Sequence, residues 1–276
     1  MERKSSKMYS SITPINSIRV DELLEIAIRA GEAIMEIYKQ PFEVVTKKDG
    51  SPLTIADKNA NKIITDYLFA NYTIPILSEE NDDVSYEIRK DWKQLWIIDP
   101  LDGTKEFINK RREFTVNIAL VEHGRPVLGI IYAPVFKELY YAVKNHGCFF
   151  VYQNVKAKIH SKSALQFQNK TFQKINKPHL KVILSRSHND GFVLEDYIQQ
   201  KDFTIQALAM GSSLKFCRIA HGIVDMNIRM KPTSEWDTAA AQIILEEAGR
   251  QLVKYEDGTP LEYNKQDILN PYFVAY

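Results

Sequence analysis

In "WIIDPLDGTKEF", Trp96 to Phe107, an apolar run ends in Asp99 and Asp102, two aspartates placed around Pro100, and Gly103-Thr104 follows at once. A turn needs only one such Asp. Two carboxylates fixed at a strand end suit a hard cation. Other acids stand at other element ends: Glu79 and Glu80 close "IPILSEE", Asp237 follows "PTSEW" and opens a late apolar run, and Asp57 stands three residues after Thr54. Singly, each has an ordinary use, as a solvated pair, a turn residue, a capping box or an N-cap. Together, with the Leu101 carbonyl between two of them, they offer oxygen-only ligands that suit Mg²⁺, with Mn²⁺ as a substitute; no His or Cys cluster invites zinc.

Gly103 lets the backbone approach a ligand closely, and N–H groups at a turn entering a helix form an anion site. Metals on one side and amides on the other describe phosphoryl transfer. Two cations can share a carboxylate, polarise the phosphate and acidify a water that attacks in line, with no protein nucleophile.

The elements around these residues fall into two textures. Apolar residues at helical spacing from Val20 to Tyr38 predict an amphipathic helix stopped by Pro41, and Thr54 with Asp57 opens a second helix carrying Ile63, Ile64, Tyr67 and Leu68. Short strand-like runs follow, "LWIID", "FTVNIALVE", "PVLGIIYAP", "ELYYAV" and "CFFVY", with "EHGRP" suited to a hairpin. This half reads as α+β. From Gln153 to Lys181 the chain turns polar, with seven lysines and no acid. Beyond it, strands at "KVILSRS", "FTIQALAM" and "GIVDMNI" alternate with helices at "FVLEDYIQQ" and "SSLKFCRIAHG", and "DTAAAQIILEEAG" forms a last helix with Asp237 as N-cap, so this half reads as α/β. The organisation expected is a polar N-terminal tail over 1–18, an α+β metal-binding subdomain over 19–155 and an α/β substrate-binding subdomain over 156–276.

Composition narrows the functional classes. A net charge of +1 over 276 residues gives no electrostatic reason for nucleic-acid binding. Cys148 and Cys217 lack metal or disulfide spacing, which fits a reduced, cytoplasmic setting. No window has the apolar length of a membrane span. The lysine-rich segment permits weak peripheral contact with the cytoplasmic face of the inner membrane and is explained equally well as a solvated connection. Nothing indicates a protein partner.

"SEE", "WIIDPLDGTKEF" and "EWDTAAAQIILEEAG" stand in the order and rough spacing of the lithium-sensitive, magnesium-dependent inositol monophosphatase superfamily, which the chain resembles from about Val20 to its C-terminus. "DGSPLTIAD", "DGTKEFINKRREFTVNIALVEHGRPVLGIIYAPV", "LSRSH" and "GSSLKFC" look more narrowly like its bacterial 3′(2′),5′-bisphosphate nucleotidase branch. The resemblance implies a layered αβαβα sandwich with the site in the cleft between the halves. Carried over, it implies that Glu79, Asp99 and the Leu101 carbonyl hold one Mg²⁺, and that Asp99, Asp102 and Asp237 hold a second. Thr104 paired with Asp57 would activate the attacking water, and the backbone from Leu101 through Asp102 and Gly103 to Thr104 would receive the scissile phosphate.

Substrate choice belongs to the second half. Ser212 and Ser213 precede a helix with Lys215 one turn in, and a helix start plus a cation suits a second phosphate. The resemblance places a substrate 5′-phosphate near Ser212 and Lys215, assisted by Arg229, and puts His188 near the nucleoside. Two departures stand out: "TSEWD" varies the residues before the metal aspartate, and Arg250 follows "EEAG" where the superfamily commonly has Gly. The implied activity is removal of the 3′-phosphate of 3′-phosphoadenosine 5′-phosphate, clearing a by-product of sulfate activation, with the 5′-phosphosulfate form as a further substrate. Two other readings compete: an inositol or sugar monophosphatase, which needs no second phosphate site, and a non-catalytic nucleotide or metal sensor, which has little use for a water-activating pair.

Overall fold

In a computed structural model, the structure describes residues 12–46, 52–81, 84–163, 165–168, 170–174, 179–186 and 204–276. Helix α1 (Val20–Tyr38) buries Leu23, Ile26, Ala27, Ala30 and Ile34, the stripe that helical periodicity dictates. A short hairpin, β1 (Val44–Thr46) with β2 (Pro52–Thr54), leads into α2 (Ile55–Asn71). These two helices pack on each other and on one face of the main sheet.

That sheet has seven strands in sequential order: β3 (Ile76–Ser78), β4 (Gln94–Asp102), β5 (Thr115–Glu122), β6 (Arg125–Ala133), β7 (Glu138–Val143), β8 (Gly147–Tyr152) and β9 (Val155–Ile159). Single turns of helix, α3 (Tyr86–Arg89) and α4 (Thr104–Ile108), interrupt the run before and after β4. Only β3 and β4 pair in parallel; every later neighbour is antiparallel. Both faces of the sheet are covered, which the alternation along β4 shows: Trp96 and Ile98 enter the core under α1 and α2, while Leu95 and Ile97 enter the core on the opposite side. The β5–β6 turn places His123 at φ 49° and Gly124 at φ 73°, the left-handed pair that a two-residue hairpin requires.

A small hairpin, β10 (Leu165–Gln168) with β11 (Thr171–Lys174), precedes the second half. There β12 (His179–Ser185) and β13 (Thr204–Met210) pair in parallel. Helix α5 (Leu214–Ala220), β14 (Asn227–Arg229) and α6 (Ala239–Glu247) follow, then β15 (Leu252–Lys254) and β16 (Phe273–Ala275). The last strands form an antiparallel sheet in the order β14-β16-β15, and a parallel bridge between Val182 and Met226 joins it to β12. Helices α5 and α6 lie between the two sheets and bury apolar residues such as Phe216, Ile219, Ile243 and Ile244 in a shared core. The layers therefore run helix, sheet, helix, sheet. The helix expected at 192–200, which would complete the sandwich, lies outside the described residues.

Several sequence expectations shift in detail. Strands β2, β9, β10, β11, β15 and β16 add to the set expected, and the subdomain boundary expected at 155/156 falls inside β9. Asp237 does not cap α6: it ends a 3-10 turn, Glu235–Asp237, and α6 begins at Ala239. The reason is local, because the Asp237 carboxylate reaches back to the Ser234 amide at 2.7 Å, in a capping box of its own.

Candidate active site

The paired aspartates are aimed by an irregularity in β4. Asp99 pairs with Asn117 and Asp102 with Thr115, so three steps along β4 match two along β5, and the strand bulges between them. Pro100 fits because it has no N–H to strand there. The next amide, Leu101, donates to Asp99 Oδ1 at 3.0 Å. Both carboxylates thereby turn toward the same side. Parallel pairing of β3 with β4 brings Glu79 alongside, its amide donating to the Ile98 carbonyl at 3.2 Å.

Asp237 completes the group from the second half of the chain. Oxygens of Asp99, Asp102 and Asp237 all lie within 4.8 Å of one another. Asp99 is 1% exposed. Burial, then Glu79, Asp102 and Asp237, push its carboxyl well above the ordinary range. Burial together with Asp102 and Glu79 likewise pushes Asp237 up to about 8. Packing acids this closely is unfavourable without a counter-charge. The donor set is oxygen only, no His or Cys lines the cleft among the described residues, and a hard divalent cation fits it.

Beside the acids, Gly103 starts α4 in the left-handed region at φ 91°. A side chain there would meet the Glu113 carbonyl at 2.9 Å and Ser212 Cβ at 3.0 Å, so Gly serves both the turn and the close approach. Thr104 follows, its Oγ1 3.3 Å from Asp57 Oδ1 and 3.2 Å from the Leu101 carbonyl oxygen. The other Asp57 oxygen accepts the Thr54 amide at 2.8 Å and the Thr54 hydroxyl at 2.7 Å. The capping box and the Thr104 contact therefore coexist on one buried carboxylate.

A cleft of about 240 Å³ opens over these groups, and both halves of the chain line it. Ser212, Lys215 and Arg229 line it beside the acids, and Asp102 and Asp237 act on both cations. Ser212 sits at φ 55°, and its carbonyl accepts Lys215 Nζ at 2.6 Å. Burial pushes the Lys215 ammonium down from its usual range, although Asp102 opposes the shift. Arg229 is also pushed down by burial, and it donates to the Lys231 and Pro232 carbonyls at 3.1 Å each. Of the residues singled out from the sequence, Glu79, Asp99, Leu101, Asp102, Gly103, Thr104, Ser212, Lys215, Arg229 and Asp237 all line this cleft, and Asp57 stands behind Thr104. His188 lies outside the described residues.

Some neighbours escaped the sequence reading. Asn117 and Thr115 extend, as buried polar residues, the stripe that Ala119 and Val121 continue as core. Two polar positions at period two in an otherwise apolar strand were the available signal. Glu113 had none: it holds Arg186 through two contacts, 2.7 and 2.9 Å, across a long separation in sequence, and accepts the Gly211 amide at 2.8 Å. Although burial raises its pKa, Arg186, the Gly211 amide and Lys215 outweigh that effect and hold Glu113 below its usual range.

The model of the inositol monophosphatase family matches residues 18–273, nearly the whole described chain. The chain belongs to that family. Within it, the chain is 40% identical over 258 residues to the 3′(2′),5′-bisphosphate nucleotidase CysQ of Escherichia coli strain K12, covering 92% of this chain and 98% of that protein. Among solved structures it is similar to CysQ from Bacteroides thetaiotaomicron, with a TM-score of 0.76 and 35% identity over 94% of this chain and 98% of that one. An inositol monophosphatase/NADP phosphatase complexed with Mg²⁺ and phosphate shares the fold at a TM-score of 0.71, with 18% identity over 93% of this chain and 90% of that one. The acidic cluster of this family member offers a donor set that could hold a divalent cation. Among the described residues, no helix is long and apolar enough to cross a membrane.

Proposed function

We propose that the chain is a Mg²⁺-dependent 3′(2′),5′-bisphosphate nucleotidase that converts 3′-phosphoadenosine 5′-phosphate and water to AMP and inorganic phosphate. The observation that carries this reading is the juxtaposition, in one cleft, of the Asp99–Asp102–Asp237 cluster with the cationic Lys215 and Arg229. A substrate with two phosphates would meet both metal ligands and fixed cations within this one cleft.

In this assignment Glu79, Asp99 and the Leu101 carbonyl hold one Mg²⁺, and Asp99, Asp102 and Asp237 a second. Such ions, when bound, supply Lewis acidity to the phosphate and acidify water. The chain's own part is positioning and proton handling. Asp57 Oδ1 can take the Thr104 hydroxyl proton, which frees an Oγ1 lone pair to accept a proton from the attacking water. The new P–O bond forms from that water as the bond to the 3′ oxygen breaks; the departing oxygen takes a proton from a water in the open cleft, and Asp57 returns its proton to solvent. Since the Leu101 amide is held by Asp99, the backbone anion site expected over Leu101 to Thr104 rests on the Asp102, Gly103 and Thr104 amides, the last two at the start of α4 with no partner within the helix. Ser212, Lys215 and Arg229 receive the 5′-phosphate.

The test is phosphate release from the bisphosphate with Mg²⁺, in wild type and Asp99→Asn. Turnover in the wild type and a loss of at least about a thousandfold in the variant are expected, the size that goes with removing stabilisation of transition-state charge. Undiminished activity in the variant would contradict the assignment.

A further inference from the structure

We infer that Ser213 is a positioning residue that sets Asp102 and Asp237 for the divalent ion and joins that site to the Ser212–Lys215 arm of the cleft. The inference rests on the proposed metal and phosphate reading of the cleft, and extends it to a residue that reading does not use. Ser213 is 1% exposed and ends the connector between β13 and α5. Its amide and its hydroxyl both donate to Asp102 Oδ2, the carboxylate oxygen that Asn117 Nδ2 also approaches, at 3.5 Å. The same Ser213 Oγ lies 3.1 Å from the Asp237 carbonyl oxygen and accepts Asn117 Nδ2 at 2.8 Å. One hydroxyl therefore touches the residues of two acids in the cluster, although those acids come from opposite halves of the chain.

Geometry explains why this matters to metal affinity. With Oδ2 of Asp102 occupied by Ser213 donors, the carboxylate cannot swing, and its other oxygen is presented to the cluster. Asn117 is itself fixed, because its Oδ1 accepts the Thr115 hydroxyl at 3.0 Å, and Thr115 Oγ1 lies 3.3 Å from Ser212 Oγ. Immediately upstream, the Gly211 amide is held by Glu113 at 2.8 Å. The connector Gly211–Ser212–Ser213 is thus fastened at three successive residues to the half that bears Asp99 and Asp102. An anion that draws on Ser212 and Lys215 engages the middle residue of this connector and the helix that follows it, so anion and metal are expected to influence each other's affinity.

The experiment is calorimetric titration of the metal-free protein with Mg²⁺, without and with saturating AMP, which carries only a 5′-phosphate, in wild type, Ser213→Ala and Asn117→Ala. AMP is expected to tighten Mg²⁺ binding in the wild type by about fivefold or more. Ser213→Ala should weaken Mg²⁺ binding about 10- to 100-fold and bring the AMP factor close to one. Asn117→Ala should shift both quantities the same way by less, and it answers the question if Ser213→Ala does not fold. Unchanged Mg²⁺ affinity in the variants would overturn the positioning role, and an unchanged AMP factor would overturn the coupling. Absence of any AMP effect in the wild type would overturn the coupling and count against the phosphate arm of the proposed function, while the variants' Mg²⁺ affinity still decides the role of Ser213.

Discussion

Asp57 divides its two oxygens between two tasks: Oδ2 accepts the amide and hydroxyl of Thr54 at the start of α2, while Oδ1 lies 3.3 Å from the Thr104 hydroxyl in the cleft. A helix start and a proton acceptor are the same buried group. Structure and chemistry can be separated only by substitutions that remove one oxygen's partner at a time.

Asp57→Asn does this from the catalytic side. The Thr54 amide needs an acceptor, so the new carbonyl oxygen turns toward it and the amide NH₂ faces Thr104 as a donor. Turnover is expected to fall about 10²- to 10⁴-fold, with Mg²⁺ affinity nearly unchanged. Thr54→Ala does the converse, costing about 1 kcal/mol of stability through the cap while leaving kcat within a few-fold. Steady-state kinetics and thermal melts on both variants check the division; a large loss of kcat with Thr54→Ala would contradict it.

The acid cluster sets a pH dependence whose sign can be worked out. Metal-free and folded, Asp237 is pushed up to about 8 by burial, then by Asp102 and Glu79, and Asp99 is raised as well by burial, then by Glu79, Asp102 and Asp237. An unfolded chain releases those protons near pH 4. The folded protein therefore holds extra protons between about pH 4 and about pH 8, and metal-free stability falls across that window as pH rises. Mg²⁺ needs the carboxylates ionised, so its stabilising effect grows over the same range. Melting temperatures in chelator and in Mg²⁺ should diverge from about pH 6 to about pH 8. A constant gap would show that the cluster does not hold the ion.

How much of this was legible in the sequence depends on the range of the interaction. Thr54 and Asp57 are neighbours in sequence, and the capping box follows from their spacing alone. Asp99, Asp102 and Glu79 stood out only together, as acids gathered at strand ends, since each alone has an ordinary use. The bulge that aims the pair was hidden, because it depends on the register of β4 against β5. The roles of Ser213 and Asn117 were hidden for the same reason: "GSS" reads as a helix cap, and only the tertiary fold brings its second serine against Asp102. Asp237 shows the converse error, since a good N-cap residue was taken up by a local 3-10 turn whose own box with Ser234 outcompetes the helix position.

Lys215 offers a test of the substrate's second phosphate. Its ammonium is buried, held by the Ser212 carbonyl and pushed down mainly by desolvation, although the charges of Asp102, Glu106 and Asp237 oppose the shift. Lys215→Met removes counter-charge from the buried acids, so it should lower the metal-free melting temperature, and it should raise KM for the bisphosphate at least about tenfold, the equivalent of about 1.4 kcal/mol. KM for inositol 1-phosphate should barely move. Equal effects on the two substrates would remove Lys215 from specificity.

The most direct measurement is phosphate release with Mg²⁺, with and without Li⁺, from 3′-phosphoadenosine 5′-phosphate and from inositol 1-phosphate at matched low concentration. A strong, lithium-sensitive preference for the bisphosphate is expected, because only that substrate engages the acid cluster and the Lys215–Arg229 side of the cleft together. Preference for inositol 1-phosphate would contradict the account, retaining the metal chemistry and discarding the second phosphate site.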